Sequence, residues 1–460
     1  MPEAHYLSQT DTIMWTVEAD PLLRSTILGV ALLDGAPEWS RLRARMEEVT
    51  HHVPALREKV RPVPLHPTML RWEPDPTFDL SFHLRHISLP AHSGVSELLD
   101  WVRTEAMGGF DLSRPLWEFT LVEGVGRQAA FVMKGHHVVT DGIGAVQLAA
   151  HLFDLEQYPP QSQPTDRPVA RRPHPVSLLR DVILHDVEGA VDLARHQLNS
   201  VIPTLLEATR HPQRAVGELV DTARSIGKVI APSISPKSHV MVGRVAMSNL
   251  RTLEIPVDDM RNAAKQVGGT INDAFLAGIA AGLHRYHVHH DEDIDELRVA
   301  MPISLRNEHH DEGGNHITVM RFTLPMGAAP IGERIAAMRS ALDGVRHERS
   351  LEHTSAIAGF LNLLPKGAIG AILKGVDFLA SNVPGVPVPL WLEGRRVLRF
   401  YPFGPTAGAA LNVTLMSYDG LCCIGVNADA AAIPDPDVLA NCLREGFDEV
   451  RASSPRAKRP

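Results

Sequence analysis

The order of patterns along the chain predicts an α/β protein made of two mixed lobes of similar size, each a sheet with packed helices. Three observations carry this. Residues 6–158 alternate short apolar runs with polar turns and helical stretches. Residues 157–175 (QYPPQSQPTDRPVARRPHP) are rich in Pro, Gln and Arg and have no period, which marks a linker. From residue 242 the mixed pattern returns. At about 150 residues per domain, a chain of 460 residues has room for two or three. The divisions expected are 1–158 for the first lobe, 159–241 for linker and amphipathic helices, 242–452 for the second lobe, and 453–460 for a basic tail holding Arg456, Lys458 and Arg459.

Taken in order, residues 119–122 and 129–134 (AAFVMK) read as strands joined by the turn at 124–127. Residues 176–229 carry amphipathic helical spacing, with Leu178, Leu179, Val182, Ile183, Val187 and Val191 on one face. Residues 251–256 are strand-like and 257–266 helical. Thr270 caps a helix running to Tyr286. Residues 299–305 and 317–324 read as strands, and 331–347 as a helix. Asp419-Gly420 between the apolar runs 411–418 and 421–427 is a strong hairpin signal.

Composition excludes several classes. With 45 basic and 54 acidic residues the net charge is −9, which argues against a nucleic-acid binder. Cys422, Cys423 and Cys442 are too few for a disulfide framework or a four-cysteine zinc site. The 44% apolar content excludes overall disorder. No secretory leader or charge-free membrane-spanning run is evident, so a cytoplasmic protein is expected.

The chemical signal is His136-His137-Val138-Val139-Thr140-Asp141-Gly142, which follows the predicted strand AAFVMK and precedes a predicted helix. Two His, one Asp and one Gly at these offsets should arise by chance about 0.005 times in this composition. Neutral imidazole can accept a hydroxyl proton near pH 7, and a strand end rigidly presents it. Asp141 sits where a helix start favours a carboxylate, and Gly142 permits a tight turn. There is no Gly-x-Ser-x-Gly nucleophile and no His-Glu-x-x-His zinc pair, which leaves a lone base.

This motif and five further segments resemble the wax ester synthase/diacylglycerol acyltransferase family, within the coenzyme-A-dependent, chloramphenicol-acetyltransferase-like acyltransferases. Leu7-Ser8 with Asp11, Pro115-Leu116-Trp117, Thr270-Ile271-Asn272-Asp273, the stretch Pro302 to Arg306 with Gly314-Asn315, and Ser381-Asn382-Val383-Pro384-Gly385 with Leu411-Asn412-Val413-Thr414 follow in the family's order. The resemblance implies two chloramphenicol-acetyltransferase-like lobes with an active-site channel at their interface. It makes His137 the general base, His136 its auxiliary, and Asp141 with Gly142 the organisers of the turn, with Arg306 as partner to Asp141. Pro115, Leu116, Asn272 and Asp273 become supporting residues; Asn272 either donates to the developing oxyanion or, with Asp273, simply caps a helix. Trp117 is expected in the core. The implied substrates are acyl-CoA and a lipid alcohol, either diacylglycerol or a fatty alcohol, with no cofactor and no metal. A surface association with the inner membrane face or lipid droplets follows from those substrates. A lipid-binding homologue with weak catalysis and a carrier-dependent condensation enzyme are the rival readings. The chain departs from the family at Gly135, at Val386 and in Pro21-Leu22-Leu23-Arg24.

Three remaining features read as structural. HVHHDEDIDE (287–296) and His309-His310-Asp311 are expected as solvated loops, and Cys422-Cys423 as buried thiols of a strand. The apolar stretch 356–380, interrupted by Pro365, Lys366, Lys374 and Asp377, is expected either as two core helices or as an interfacial amphipathic segment.

Overall fold

The structure is a computed structural model that describes residues 6–63, 66–139, 148–159, 237–304, 317–346 and 375–454. The first half runs α1 (Gln9–Val17), β1 (Thr26–Leu33), α2 (Trp39–His52), β2 (Glu58–Val63), β3 (His66–Pro74), α3 (Leu80–His83), β4 (Leu84–Ser88), α4 (Val95–Met107), β5 (Trp117–Val125) and β6 (Gln128–His136). The second half runs β7 (Ser248–Pro256), α5 (Val257–Gln266), α6 (Ile271–His289), β8 (Glu296–Ser304), β9 (Ile317–Pro325), α7 (Ile331–Arg346), β10 (Phe378–Val383), β11 (Trp391–Leu392), β12 (Arg395–Phe403), β13 (Leu411–Tyr418), β14 (Leu421–Asp429) and α8 (Pro436–Ser453).

Two six-stranded mixed sheets form among the described residues, in the orders β11-β12-β1-β6-β5-β4 and β7-β14-β13-β10-β8-β9, beside the hairpin β2-β3. In the first, β1 lies antiparallel to both β12 and β6, while β4 runs parallel to β5. In the second, β10 is parallel to both β13 and β8, and the other pairs are antiparallel. Each sheet buries its own core. Around the second, Phe275, Leu283, Phe378, Val413, Ile424 and Phe447 pack from strands and helices together. Helix α6 is buried on nearly every side, which explains its weak amphipathic signal.

The boundary expected at residue 242 fails for one segment. β11 and β12 lie within 242–452 yet join the first sheet, where Val397, Phe400, Tyr401 and Phe403 fill its core. An unpaired β1 would expose a row of backbone donors and acceptors, and β12 satisfies them. β12 also lies against β14: a Cβ on Gly425 would meet the Pro402 carbonyl at 1.8 Å, so only glycine permits the crossing. Polar contacts fasten it there. Arg399 Nε meets Glu254 Oε2 at 2.9 Å, and the Tyr401 hydroxyl donates to the same carboxylate. The Tyr418 hydroxyl accepts from Leu390 N–H at 2.9 Å and donates to the Val397 carbonyl at 2.8 Å.

Two further expectations are corrected. The helix from Thr270 continues past Tyr286 to His289, and His287 is fully buried rather than in a solvated loop, its ring held between Ser238 Oγ (2.8 Å) and the Leu283 carbonyl (2.7 Å). Of the apolar stretch 356–380, residues 378–380 are strand β10 rather than helix; those before 375 lie outside the described residues, as do 160–236, His309, His310 and Asp311.

Candidate active site

Strand β6 ends at His136, and its continuous apolar run Ala129–Met133 suits its central place between β1 and β5. The turn beyond is pinned from both neighbours. His136 N–H donates to the Leu116 carbonyl at 3.0 Å, and His137 N–H to the Ser25 carbonyl at 2.9 Å. Val139 N–H closes the turn on the His136 carbonyl at 2.9 Å. Pro115-Leu116-Trp117 thus serves the backbone. Leu116 is buried and supplies the carbonyl, while the Trp117 indole donates to the Leu56 carbonyl at 2.8 Å from within the core, as expected. Trp117 also stacks on His83, whose burial pushes its pKa down; the neutral ring donates Nδ1–H to the Trp117 carbonyl at 2.7 Å.

The two histidines differ. His136 is fully buried, with Trp15 and Phe110 edge-on to its ring. Its Nδ1 accepts Val138 N–H at 3.1 Å, so that nitrogen carries no proton. Its Nε2–H therefore donates to Glu18 Oε2, 3.0 Å away. With both nitrogens committed inside the fold, His136 is a structural residue rather than one that exchanges protons with a substrate. His137 is only partly buried. It is the member of the pair that can meet a ligand.

Glu18 was not found from sequence. It sits at the C-terminal end of α1, which Ser8 caps by accepting Asp11 N–H at 3.1 Å. The matched opening segment therefore starts the helix that delivers Glu18. Glu18 Oε2 also accepts Ser25 N–H at 3.0 Å, so one oxygen gathers the buried histidine and the strand that holds His137. Nothing in the sequence marks this glutamate beyond its place at a helix end.

Thr140, Asp141, Gly142 and Arg306 lie outside the described residues, and with them the expected Asp141–Arg306 contact. Asp273 has the helix-capping role: its Oδ2 accepts Thr270 N–H at 2.7 Å and the Thr270 hydroxyl at 2.9 Å, a capping box. Asn272 stands beside it with Nδ2 3.8 Å from Met301 Sδ. Its Oδ1 is buried without a hydrogen-bond partner among the described residues. No hydrogen bond links Asn272 to His137 among those residues; one belongs to each lobe. The C-terminal matched segments lie side by side, Ser381 opposite Thr414 and Asn382 opposite Leu415. Gly385 is required by close approach, since a Cβ there would meet the Ser417 carbonyl oxygen at 1.7 Å. Gly135 is not required by close approach, since a Cβ there would make ordinary contact with Ile27 at 3.9 Å.

A cleft with about 520 Å³ of empty space, part of it open to solvent, runs where the two sheets meet, lined among others by Arg24, Thr26, Met107, Met247, Phe403 and Asn427. Thr26 pairs with His136 across β1 and β6, so the cleft adjoins the histidine turn. Arg24 closes one wall by donating to the Met107 carbonyl at 2.6 Å.

Two mixed α/β lobes with a histidine turn beside their junction define a chloramphenicol-acetyltransferase-like acyltransferase fold. Solved structures agree. A wax ester synthase/diacylglycerol acyltransferase from Marinobacter aquaeolei VT8 superposes with a TM-score of 0.63 at 20% identity, covering 98% of this chain and 99% of that one. The first condensation domain of the CDA synthetase gives 0.64 at 14% identity, covering 99% and 98%. The model of the wax ester synthase/diacylglycerol acyltransferase catalytic domain matches residues 5–275, and that of the C-terminal domain matches 313–451. A putative diacylglycerol O-acyltransferase of Mycobacterium tuberculosis is 35% identical over 452 residues, 97% of this chain and 91% of that protein. A probable diacylglycerol O-acyltransferase of the same species is 25% identical over 456 residues, covering 96% and 94%. The chain belongs to the wax ester synthase/diacylglycerol acyltransferase family and is an acyltransferase.

Proposed function

We propose that this acyltransferase moves a long-chain acyl group from acyl-CoA to the free hydroxyl of diacylglycerol, giving triacylglycerol and CoA, with His137 as general base. The observation that carries the assignment is the asymmetry of the pair. His136 is fully buried with both nitrogens bound inside the fold, which excludes it as the base, and His137 is the partly buried member of the pair. In the reaction, His137 takes the hydroxyl proton as that oxygen attacks the thioester carbonyl. The tetrahedral intermediate then expels the CoA thiolate, which recovers the proton from the imidazolium. No acyl-enzyme is needed, consistent with the lack of a Gly-x-Ser-x-Gly nucleophile. Asp141 and Arg306 are assigned to holding the turn, and Asn272, whose Nδ2 is held only by a long contact to Met301 Sδ, to donating to the substrate carbonyl. Relatives named diacylglycerol O-acyltransferases support the acceptor. Because diacylglycerol partitions into lipid, the reaction belongs at the cytoplasmic face of a membrane or a droplet surface; among the described residues no helix is long and apolar enough to cross a membrane.

The test is thiol release from palmitoyl-CoA with diacylglycerol, with hexadecanol, or with neither. Diacylglycerol-dependent release that falls about 10²- to 10⁴-fold in folded His137→Ala is the expected result. Preference for hexadecanol would make the enzyme a wax ester synthase of the same mechanism. Near-normal turnover by His137→Ala would remove the base assignment, and silence with both acceptors would favour a lipid-binding role.

A further inference from the structure

We infer that Glu18 is the positioning residue of His137, an inference that rests on His137 being the base. The connection runs through one atom. Glu18 Oε2 accepts Ser25 N–H at 3.0 Å, and the Ser25 carbonyl in turn accepts His137 N–H at 2.9 Å. The same oxygen takes the Nε2–H of His136 at 3.0 Å, and His136 Nδ1 holds Val138 N–H at 3.1 Å on the far side of His137. The backbone of His137 is thus bracketed by two bonded paths that converge on Glu18, whose side chain is 5% exposed. Buried hydrogen bonds of this kind hold a reacting group within the few tenths of an ångström that proton transfer demands. Glu18 reaches no substrate itself; it works through the turn.

Because both donors use a single oxygen, an acceptor is required there and a full charge is not. Glutamine offers the same oxygen at the same reach, whereas alanine offers none and aspartate falls one methylene short. The experiment measures kcat, KM for palmitoyl-CoA and thermal unfolding for Glu18→Ala, Glu18→Gln and His137→Ala, and for Glu18→Ala combined with His137→Ala. Glu18→Ala should lower kcat by about 10²-fold with KM little moved, as for a displaced catalytic group. Glu18→Gln should recover most of that loss. In the His137→Ala background, Glu18→Ala should have no further effect on residual turnover, because its contribution passes through the missing ring. If the alanine variant does not fold, Glu18→Asp takes its place. Wild-type kcat in Glu18→Ala, beside an inactive His137→Ala, would overturn this inference and leave the base assignment standing. So would a Gln variant that is folded and as slow as Ala, or an equal loss in the His137→Ala background. An active His137→Ala would instead remove the base assignment itself, and this inference with it.

Discussion

Replacing His136 by alanine should destabilise the protein by roughly 3–5 kcal/mol, the combined cost of two hydrogen bonds lost inside the fold. The magnitude follows from what is left behind. The Nε2–H···Glu18 bond at 3.0 Å is lost within the fold, where hydrogen bonds to charged groups contribute about 1.5–3 kcal/mol. Val138 N–H loses its acceptor, and an unsatisfied buried amide costs about 1–3 kcal/mol. The vacated space lies between the Glu18 carboxylate and the Val138 N–H, and a water molecule bridging the two would bring the loss toward the lower end. His137→Ala removes a partly exposed ring and keeps the backbone bond to Ser25, so its cost should be about 1 kcal/mol or less. Urea unfolding of both variants, followed by circular dichroism, separates the two roles. A His136→Ala variant within about 1 kcal/mol of wild type, or one more stable than His137→Ala, would refute the reading of His136 as a structural residue.

Gly385→Ala should cost about 3 kcal/mol or more in the same unfolding assay, because the new Cβ would stand 1.7 Å from the Ser417 carbonyl oxygen and 2.9 Å from Met416, and rigid backbone cannot give way. A loss under about 1 kcal/mol would show that the exit of β10 can move away from β13. Stability should also fall as pH drops below about 6.5, the unfolded histidine value, since burial lowers the folded pKa of both His83 and His287. Above that pH both states are neutral and the contribution is complete; below it the unfolded chain binds protons that the folded rings refuse. A melting temperature that stays flat or rises from pH 6.5 to 5 would contradict this.

Local chemistry was legible wherever it is written in adjacent residues. Asp419 and Gly420 have φ of 44° and 80°, the positive pair that a two-residue hairpin needs, and the Asp-Gly signal announces it. Thr270 with Asp273 spells a capping box, and the helix follows. The histidine motif at the end of β6 was equally visible. Long-range partners were not. Glu18 meets His136 across 118 positions, and a glutamate at a helix end has no pattern that distinguishes it from a solvated one. His287 hides in a run of charged and imidazole groups that looks wet, yet its ring faces Ser238 and the core. The single-sequence pattern also cannot show that β12 leaves its neighbours in sequence for the other sheet, because its apolar residues suit either.

That strand exchange explains why the histidine turn and the lobe junction come together. β1 carries both sides of the arrangement within three residues: Thr26 pairs with His136, and Leu28 pairs with Phe403 at the end of β12. Phe403 and the loop after it line the cleft, and Asn427 of β14 fastens that loop by donating to the Gly404 carbonyl at 2.9 Å. The histidine turn is therefore tied to Phe403 through the β6–β1–β12 backbone ladder, and to the second sheet through the side chain of Asn427. Sliding one sheet past the other would meet the steric stop of Gly425 against Pro402 and pull Glu254 away from Arg399 and Tyr401. On the proposed reaction, an opening for substrate hinges about β12, while the β6–β1–β12 ladder keeps the histidine turn and Phe403 in register. A fixed register there suits the proposed reaction, which must hold a hydroxyl and a thioester together, and the proposal places the tuning of acceptor size on cleft side chains such as Arg24, Met107 and Met247 rather than on lobe motion.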